Sequence, residues 1–239
     1  MRRMLRRILA PMGYEVHWDV ERHALDVLDM AVRSYLAHRD VWFVQAGAND
    51  GVMRDPMRRF VDRYGWRGIL IEPVPWLFER LKQNYPGREG LIFENVAIGN
   101  GGDLTLFTLE DAPDLPDWAR GLTSFDRKVL LRAHRAHPRF ESLIREIKVP
   151  CFTLDALLQK HGLPRVDLLQ VDTEGYDFEV MKTLDFARWR PKVVHFEHVH
   201  LRHVGGVKKW RECYRWLEER GYALQTTGDD TVGVLNEKQ

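Results

Sequence analysis

The sequence predicts an α/β fold: a three-layer sandwich around a mostly parallel, seven-stranded sheet closed by an antiparallel hairpin. Three observations carry this. Short β-rich apolar runs alternate with amphipathic helical stretches, the rhythm of βαβ units. The first apolar run, Val41-Trp42-Phe43-Val44, opens into Gly47-Ala48-Asn49-Asp50-Gly51, a glycine loop leading toward a helix. Near the end, Tyr222 to Thr227 and Thr231 to Leu235 are separated only by Gly228-Asp229-Asp230, a connection too short for anything but an antiparallel pair.

The elements follow in order. Asp19 to Ala37 reads as a helix, with Val20, Ala24, Val27, Leu28, Ala31 and Tyr35 on one face. After the glycine loop, Pro56 to Tyr64 is a short helix with Asp55 as its N-cap. Ile69 to Ile71 is the second strand, Trp76 to Tyr85 the second helix, and Leu91 to Phe93 with Val96 to Ile98 the third strand region. Leu104 to Thr108 alternates like a strand, and Glu110 to Trp118, rich in acids and carrying two prolines, reads as a loop. Phe125 to Ile147, rich in Arg and His, reads as helical. Regularity returns with a helix that Thr153 caps, a strand over Val166 to Val171 and a helix over Tyr176 to Leu184. Lys192 to Val199 is a strand, and Lys208 to Arg220 a helix stopped by Gly221. Residues 1–239 are expected to form one domain, with 1–38 an N-terminal helical segment and 109–147 a lid or acceptor-side insertion.

Composition narrows the class. With 36 basic and 35 acidic side chains the net charge is +1, which gives no footprint for nucleic acid. The Arg/His segment from Arg127 to Arg145 is the one feature that speaks for such a partner. Cys151 and Cys213 show no paired spacing, so a reducing cytoplasm is the expected setting. The start, Met1 to Ala10, pairs arginines with aliphatics at near-helical spacing; the alternatives are a solvated terminus and weak peripheral contact with the inner face of a membrane. Oligomeric state leaves no mark in the sequence.

The chemistry begins at the loop. Gly47 and Gly51 let backbone approach a ligand, and a strand feeding such a loop into a helix is a general nucleotide-binding arrangement. Glu72, 21 residues after Gly51 at the end of the second strand, can accept hydrogen bonds from both ribose hydroxyls. Dinucleotide and S-adenosylmethionine enzymes share that pair. Here the loop lacks GxGxxG, no Tyr-x-x-x-Lys couple occurs, and the closing hairpin suits a methyltransferase sheet. A nicotinamide oxidoreductase and a non-catalytic cofactor-binding relative are the rival readings.

At the end of the fourth strand stands Asp172, followed by Glu174 and Asp177; the fifth ends in His195-Phe196-Glu197-His198-Val199-His200. Methyl transfer to an acceptor that carries a proton needs help in removing it. Asp172 is placed to give it, with Glu174 and Asp177 either assisting or capping the next helix. If the fifth strand runs on, Glu197 and His198 emerge beside Asp172. Two versions stand: a divalent metal (Mg or Mn) held by Asp172, Glu197 and His198, or His198 as a metal-free general base.

Five ordered blocks resemble the FkbM family of methyltransferases: Phe43 to Gly51, Ile71-Glu72-Pro73-Val74-Pro75, Asn95-Val96-Ala97-Ile98, Thr153-Leu154-Asp155, and Asp167 to Asp177. They cover roughly Val41 to His200. The resemblance implies a class I Rossmann-like fold, S-adenosyl-L-methionine as cofactor, and O-methylation, often of a sugar or glycosylated natural product. It puts Gly47, Ala48, Asn49 and Gly51 around the methionine and ribose, and Glu72 on the ribose with Pro73 shaping the turn. It also sets Asn95 and Ala97 near the adenine, and Ser124 and Asp172 facing the pocket. Gln45 stands at the cofactor's amino-acid end where the family commonly has an acid, and Gln170 where a basic residue is more usual.

Overall fold

The computed structural model describes residues 26–37, 40–112, 115, 119, 122–133 and 139–236. The expected helical start before Asp26 and the basic N-terminus lie outside them.

Seven strands form the main sheet: β1 (Trp42–Ala46), β2 (Arg67–Ile71), β3 (Leu91–Glu94), β8 (Leu168–Val171), β9 (Val193–Glu197), β10 (Tyr222–Thr227) and β11 (Asp230–Leu235). Their order is β10-β11-β9-β8-β1-β2-β3. All pairs are parallel except those of β11, which runs against both β9 and β10. The hairpin arises where two residues, Gly228 and Asp229, join Thr227 to Asp230. Gly228 takes φ +57°, the left-handed backbone that such short loops require.

The central strands are apolar on both sides because helices cover both faces of the sheet. Alternation sends Val44, Ala46, Ile69, Ile71, Leu169, Val171, Val194 and Phe196 into one core. There they meet α6 (Leu154–Lys160), α7 (Asp177–Lys182), α8 (Phe186–Trp189) and α9 (Val199–Glu218). Phe43, Leu70, Leu168, Val193 and Val232 enter the other core, against α1 (Val27–Tyr35), α2 (Arg58–Tyr64) and α3 (Pro75–Asn84). Thr153 caps α6 as expected, its hydroxyl accepting from Ala156 N at 3.1 Å.

Four expectations need correction. α2 starts at Arg58 with Met57 at its N-cap, and the Asp55 carboxylate closes the turn ahead of the helix instead of capping it. Its Oδ1 accepts from Met57 N and Gln45 Nε2, and its Oδ2 from the Tyr85 hydroxyl. The stretch Phe125 to Ile147 is not one helix. It holds α4 (Arg127–Ala133) and α5 (Phe140–Leu143), and from Ile144 it is β7 (Ile144–Phe152). β7 pairs along its length with β5 (Gly102–Leu109). With β4 (Ala97–Ile98) and β6 (Thr123–Ser124) they make a second sheet, ordered β4-β7-β5-β6. Exposed Arg145, Glu146 and Lys148 hide the strand in the sequence, while Val149 and Cys151 face Ala97 and Leu106 in its small core. β9 ends at Glu197 rather than Val199, and the next helix opens at Val199 instead of Lys208, carrying a break at Gly206 (φ 72°, ψ 178°). No helix among the described residues is long and apolar enough to cross a membrane.

Candidate active site

At the C-terminal ends of the strands lies a cavity of about 1110 Å³, where a doubly wound sheet places its ligands. The loop after β1 forms its floor. Gly47 and Ala48 both donate backbone N–H groups to Ile71 O at 3.0 Å, tying the loop to β2. Gly47 has φ +83°, and a Cβ there would lie 1.8 Å from the carbonyl oxygen of Asp172. Only glycine lets β1 and β8 come that close. Gly51 plays a different part: its missing side chain makes room for Leu81 and Tyr85 behind the loop, and it does not line the cavity.

Glu72, one residue past β2, is buried. Its Oε2 accepts from Asn49 N at 2.8 Å and its Oε1 from Val74 N at 2.9 Å. One lone pair remains on each oxygen, a pair of acceptors suited to two vicinal ribose hydroxyls. Burial raises its pKa to about 7, and donors from a ligand would favour the ionised form. Asn95 stands behind it, donating to the backbone oxygens of Glu72 and Pro73 at 2.8 and 3.1 Å, and does not face the cavity. Gln45, Ala48, Asn49, Pro73, Ala97 and Ser124 do face it.

The opposite wall is acidic. Asp172, at the end of β8, opens onto the cavity. Its side chain stays open to the cavity, and the surrounding protein, with Glu197, Glu174, Asp177 and Asp230 close by, holds its carboxyl well above the usual range. Glu174 follows in a turn with φ 54°, and Asp177 fastens that turn from beneath. Its Oδ2 accepts from Thr173 Oγ1 at 3.3 Å and Gly175 N at 3.2 Å, while burial lifts its pKa to about 7. Asp177 is thus a support for the wall, and Glu174 a part of it.

His198 does not join them. It is buried, with Nδ1 3.2 Å from Thr231 Oγ1 and its ring beside Trp210, and it does not line the cavity. Once the chain turns helical after Glu197, the residue three positions on returns to the same side. That residue is His200. Its Nδ1 lies 2.5 Å from Glu197 Oε2 and 2.8 Å from Glu174 Oε2. Those two carboxylates raise the His200 pKa to about 11, so the ring is charged at neutral pH. Ligand atoms of Glu174, Glu197 and His200 lie within 4.8 Å of one another, so these three, rather than Asp172, Glu197 and His198, are the described residues grouped closely enough to hold a metal ion.

Sequence reasoning missed Asp229 and Asp230, which reach the cavity from the hairpin turn, and the Met53 to Pro56 stretch. Burial lifts Asp230 to about 6. A signal existed: a hairpin beside β9 must put its turn at the C-terminal rim of that strand.

These shifts predict a pH dependence. Glu72 and Asp177 bind protons more tightly folded than unfolded up to about pH 7, and His200 does so from about 6.5 upward. Raising the pH through that window therefore lowers the stability of the ligand-free protein. Urea melts at pH 6.5 and 8.5 should show a loss on the order of 2 kcal/mol, after discounting for the solvent around His200. Stability that rises over this interval would contradict the assignment.

A sheet of this order, with a glycine loop after β1 and an acid just past β2, is that of a class I methyltransferase fold. The Methyltransferase FkbM domain matches residues 45–224, so the chain belongs to that family, and it is an S-adenosylmethionine-dependent methyltransferase. Methyltransferase sdnD of Sordaria araneosa is 25% identical over 218 residues, spanning 84% of this chain and 78% of that one. Among solved structures, precorrin-6y C5,15-methyltransferase from Geobacter metallireducens is 10% identical, with TM-score 0.47 and 90% of each chain covered. The ribosomal protein L11 methylase of Lactobacillus delbrueckii subsp. bulgaricus is 8% identical, with TM-score 0.45, covering 88% of this chain and 77% of that one. The nicotinamide oxidoreductase reading falls with the family assignment.

Proposed function

We propose that the enzyme transfers the methyl group of S-adenosylmethionine to a hydroxyl oxygen of a sugar or glycoconjugate. The observation that carries this is the opposition of Glu72 and Asp172 across the glycine loop. Glu72 would hold the ribose, and the side-chain-free Gly47 would let the sulfonium, bonded directly to ribose C5′, pass close to the backbone beside Asp172. A hydroxyl approaching the methyl from the far side would meet Asp172, whose carboxylate is made a stronger proton acceptor by its raised pKa. Transfer forms a carbon–oxygen bond, breaks the carbon–sulfur bond, and leaves the hydroxyl proton on the carboxylate.

The segment 109–147 fits an acceptor-side role, because Leu122 to Phe125 and Val129 line the cavity. The divalent ion belongs, in this reading, with Glu174, Glu197 and His200; its nitrogen–oxygen spacings need only a small expansion to admit one. A cation there would act as a Lewis acid, lowering the pKa of a neighbouring hydroxyl. Mn(II) titration followed by electron paramagnetic resonance should show one bound ion, lost in Glu197→Gln; no bound ion would remove the metal from this reading and leave the proton transfer with Asp172.

The test of the reaction is mass spectrometry of mixtures of enzyme, S-adenosylmethionine and simple glycosides. One added methyl on a hydroxyl supports the proposal. Methyl transfer found only on nitrogen or carbon acceptors would overturn it.

A further inference from the structure

The face of the sheet toward α1 and α2 changes character within one layer. The layer through Phe43, Leu168, Val193 and Val234 is apolar throughout, with Gly68 at its edge. The next layer toward the strand C-termini runs Leu70, Gln45, Gln170, His195, Val232, all neighbours in register. Its centre is polar. Gln45, Gln170 and His195 are 1%, 2% and 6% exposed, yet each lines the cavity. Each also keeps a buried polar atom without a hydrogen-bond partner among the described residues: Gln45 Oε1, Gln170 Oε1 and His195 Nδ1. Unpartnered buried polar groups are costly, and amide and imidazole rings can turn to exchange their polar ends. A row of three argues for a ligand that satisfies them.

Strand spacing locates that ligand. β9 lies three strands from β2, so His195 is roughly 14 Å from the strand that ends at Glu72. The sulfonium, one bond from the ribose, would fall short of this, which puts His195, with Gln170 as its neighbour in register, on the acceptor side of the methyl. The chemistry there is specific. His195 sits with its ring buried against the cavity. Asp230 approaches it, with Oδ2 3.9 Å from His195 Nε2. With no cation bound, Asp55, Glu174, Glu197 and Asp229 add further negative charge to the lining, against Arg54 and His200 as cationic side chains among the described residues. Such a wall repels anions and accepts hydrogen bonds from hydroxyls.

We propose that Gln170 and His195 form the floor of an acceptor subsite that recognises an uncharged polyhydroxylated ring and rejects anionic ones. This rests on the O-methyltransferase reading above and adds the residues and the charge selectivity.

The test uses the full chain saturated with S-adenosylhomocysteine, and Gln170→Leu and His195→Leu. Saturation-transfer NMR with methyl β-D-glucopyranoside and methyl β-D-galactopyranoside as probes, and methyl β-D-glucuronide as the anionic control, reads the subsite. The expected result is binding of a neutral glycoside, at least tenfold weaker binding of the glucuronide, and loss of at least tenfold in either variant. Thermal melts should show both variants folded, at or above the parent Tm, because each removes an unpartnered buried polar group. Calorimetry with S-adenosylhomocysteine should give affinities within about twofold of the parent. Absence of neutral-glycoside binding to the parent, or undiminished binding in the variants, overturns the proposal. So does a tenfold loss for S-adenosylhomocysteine with none for 5′-methylthioadenosine, which would give the row to the cofactor's amino-acid end. O-methylation of an anionic acceptor would overturn the subsite while leaving hydroxyl methylation standing.

Discussion

Gly47→Ala should produce a protein that no longer binds S-adenosylhomocysteine and that has lost on the order of 4 kcal/mol or more of stability. Two effects add. The backbone at φ +83° is strained for any residue with a Cβ, by about 1–2 kcal/mol. The larger one is steric, since the new methyl group would sit 1.8 Å from the Asp172 carbonyl oxygen. No rotamer relieves that overlap; β1 and β8 must separate, in a pair whose register spans Phe43 to Ala46. Gly51→Ala is the control. There φ is +72°, but the nearest atoms are the side chains of Tyr85 and Leu81, at 2.6 and 2.7 Å, which can turn aside. Urea denaturation and calorimetry on the two variants check the contrast, and equal damage at both positions would contradict it.

Asp172→Asn carries the second large effect. The amide keeps the size of the carboxylate and cannot take a proton from the attacking hydroxyl. Methyl transfer should fall by roughly 10²–10⁴-fold, the usual worth of a positioned general base. Cofactor affinity should stay within about threefold, because the proposed ribose site is Glu72, on the far side of the loop. The variant should also be at least as stable as the parent at neutral pH, having lost one member of a crowded carboxylate group. Single-turnover assays with separate cofactor titrations distinguish these outcomes; unchanged turnover would remove Asp172 from the chemistry.

The main sheet was legible because its signals are local. Val41 to Val44 and Leu168 to Val171 are apolar runs of strand length, and Gly228 with Asp229 dictates a tight turn whatever else the chain does. β7 was not, since a strand in a half-covered sheet alternates charged and apolar residues, and Ile144 to Lys148 fits a helix nearly as well. The substitution of His200 for His198 turned on where β9 ended, and element ends are the least determined feature of a sequence. Gly51 and Asn95 belong to the loop's support rather than its surface, a distinction that depends on what packs behind them. The row through Gln45, Gln170 and His195 is visible only once the register aligns three strands. β1 and β8 alone each show just one polar residue in an apolar run, and in β9 His195 sits among Val193, Val194 and Phe196.

The central claim is that S-adenosylmethionine lies on the Gly47 to Asn49 loop with its ribose on Glu72. Calorimetric titration of the parent and of Glu72→Ala with S-adenosylmethionine, and with NAD, tests it most directly. The account predicts that the parent binds S-adenosylmethionine and shows no comparable affinity for NAD. Loss of hydrogen bonds to a charged acceptor in Glu72→Ala should weaken S-adenosylmethionine by roughly 30-fold. Equal affinity in parent and variant, or NAD binding without S-adenosylmethionine binding, would contradict it.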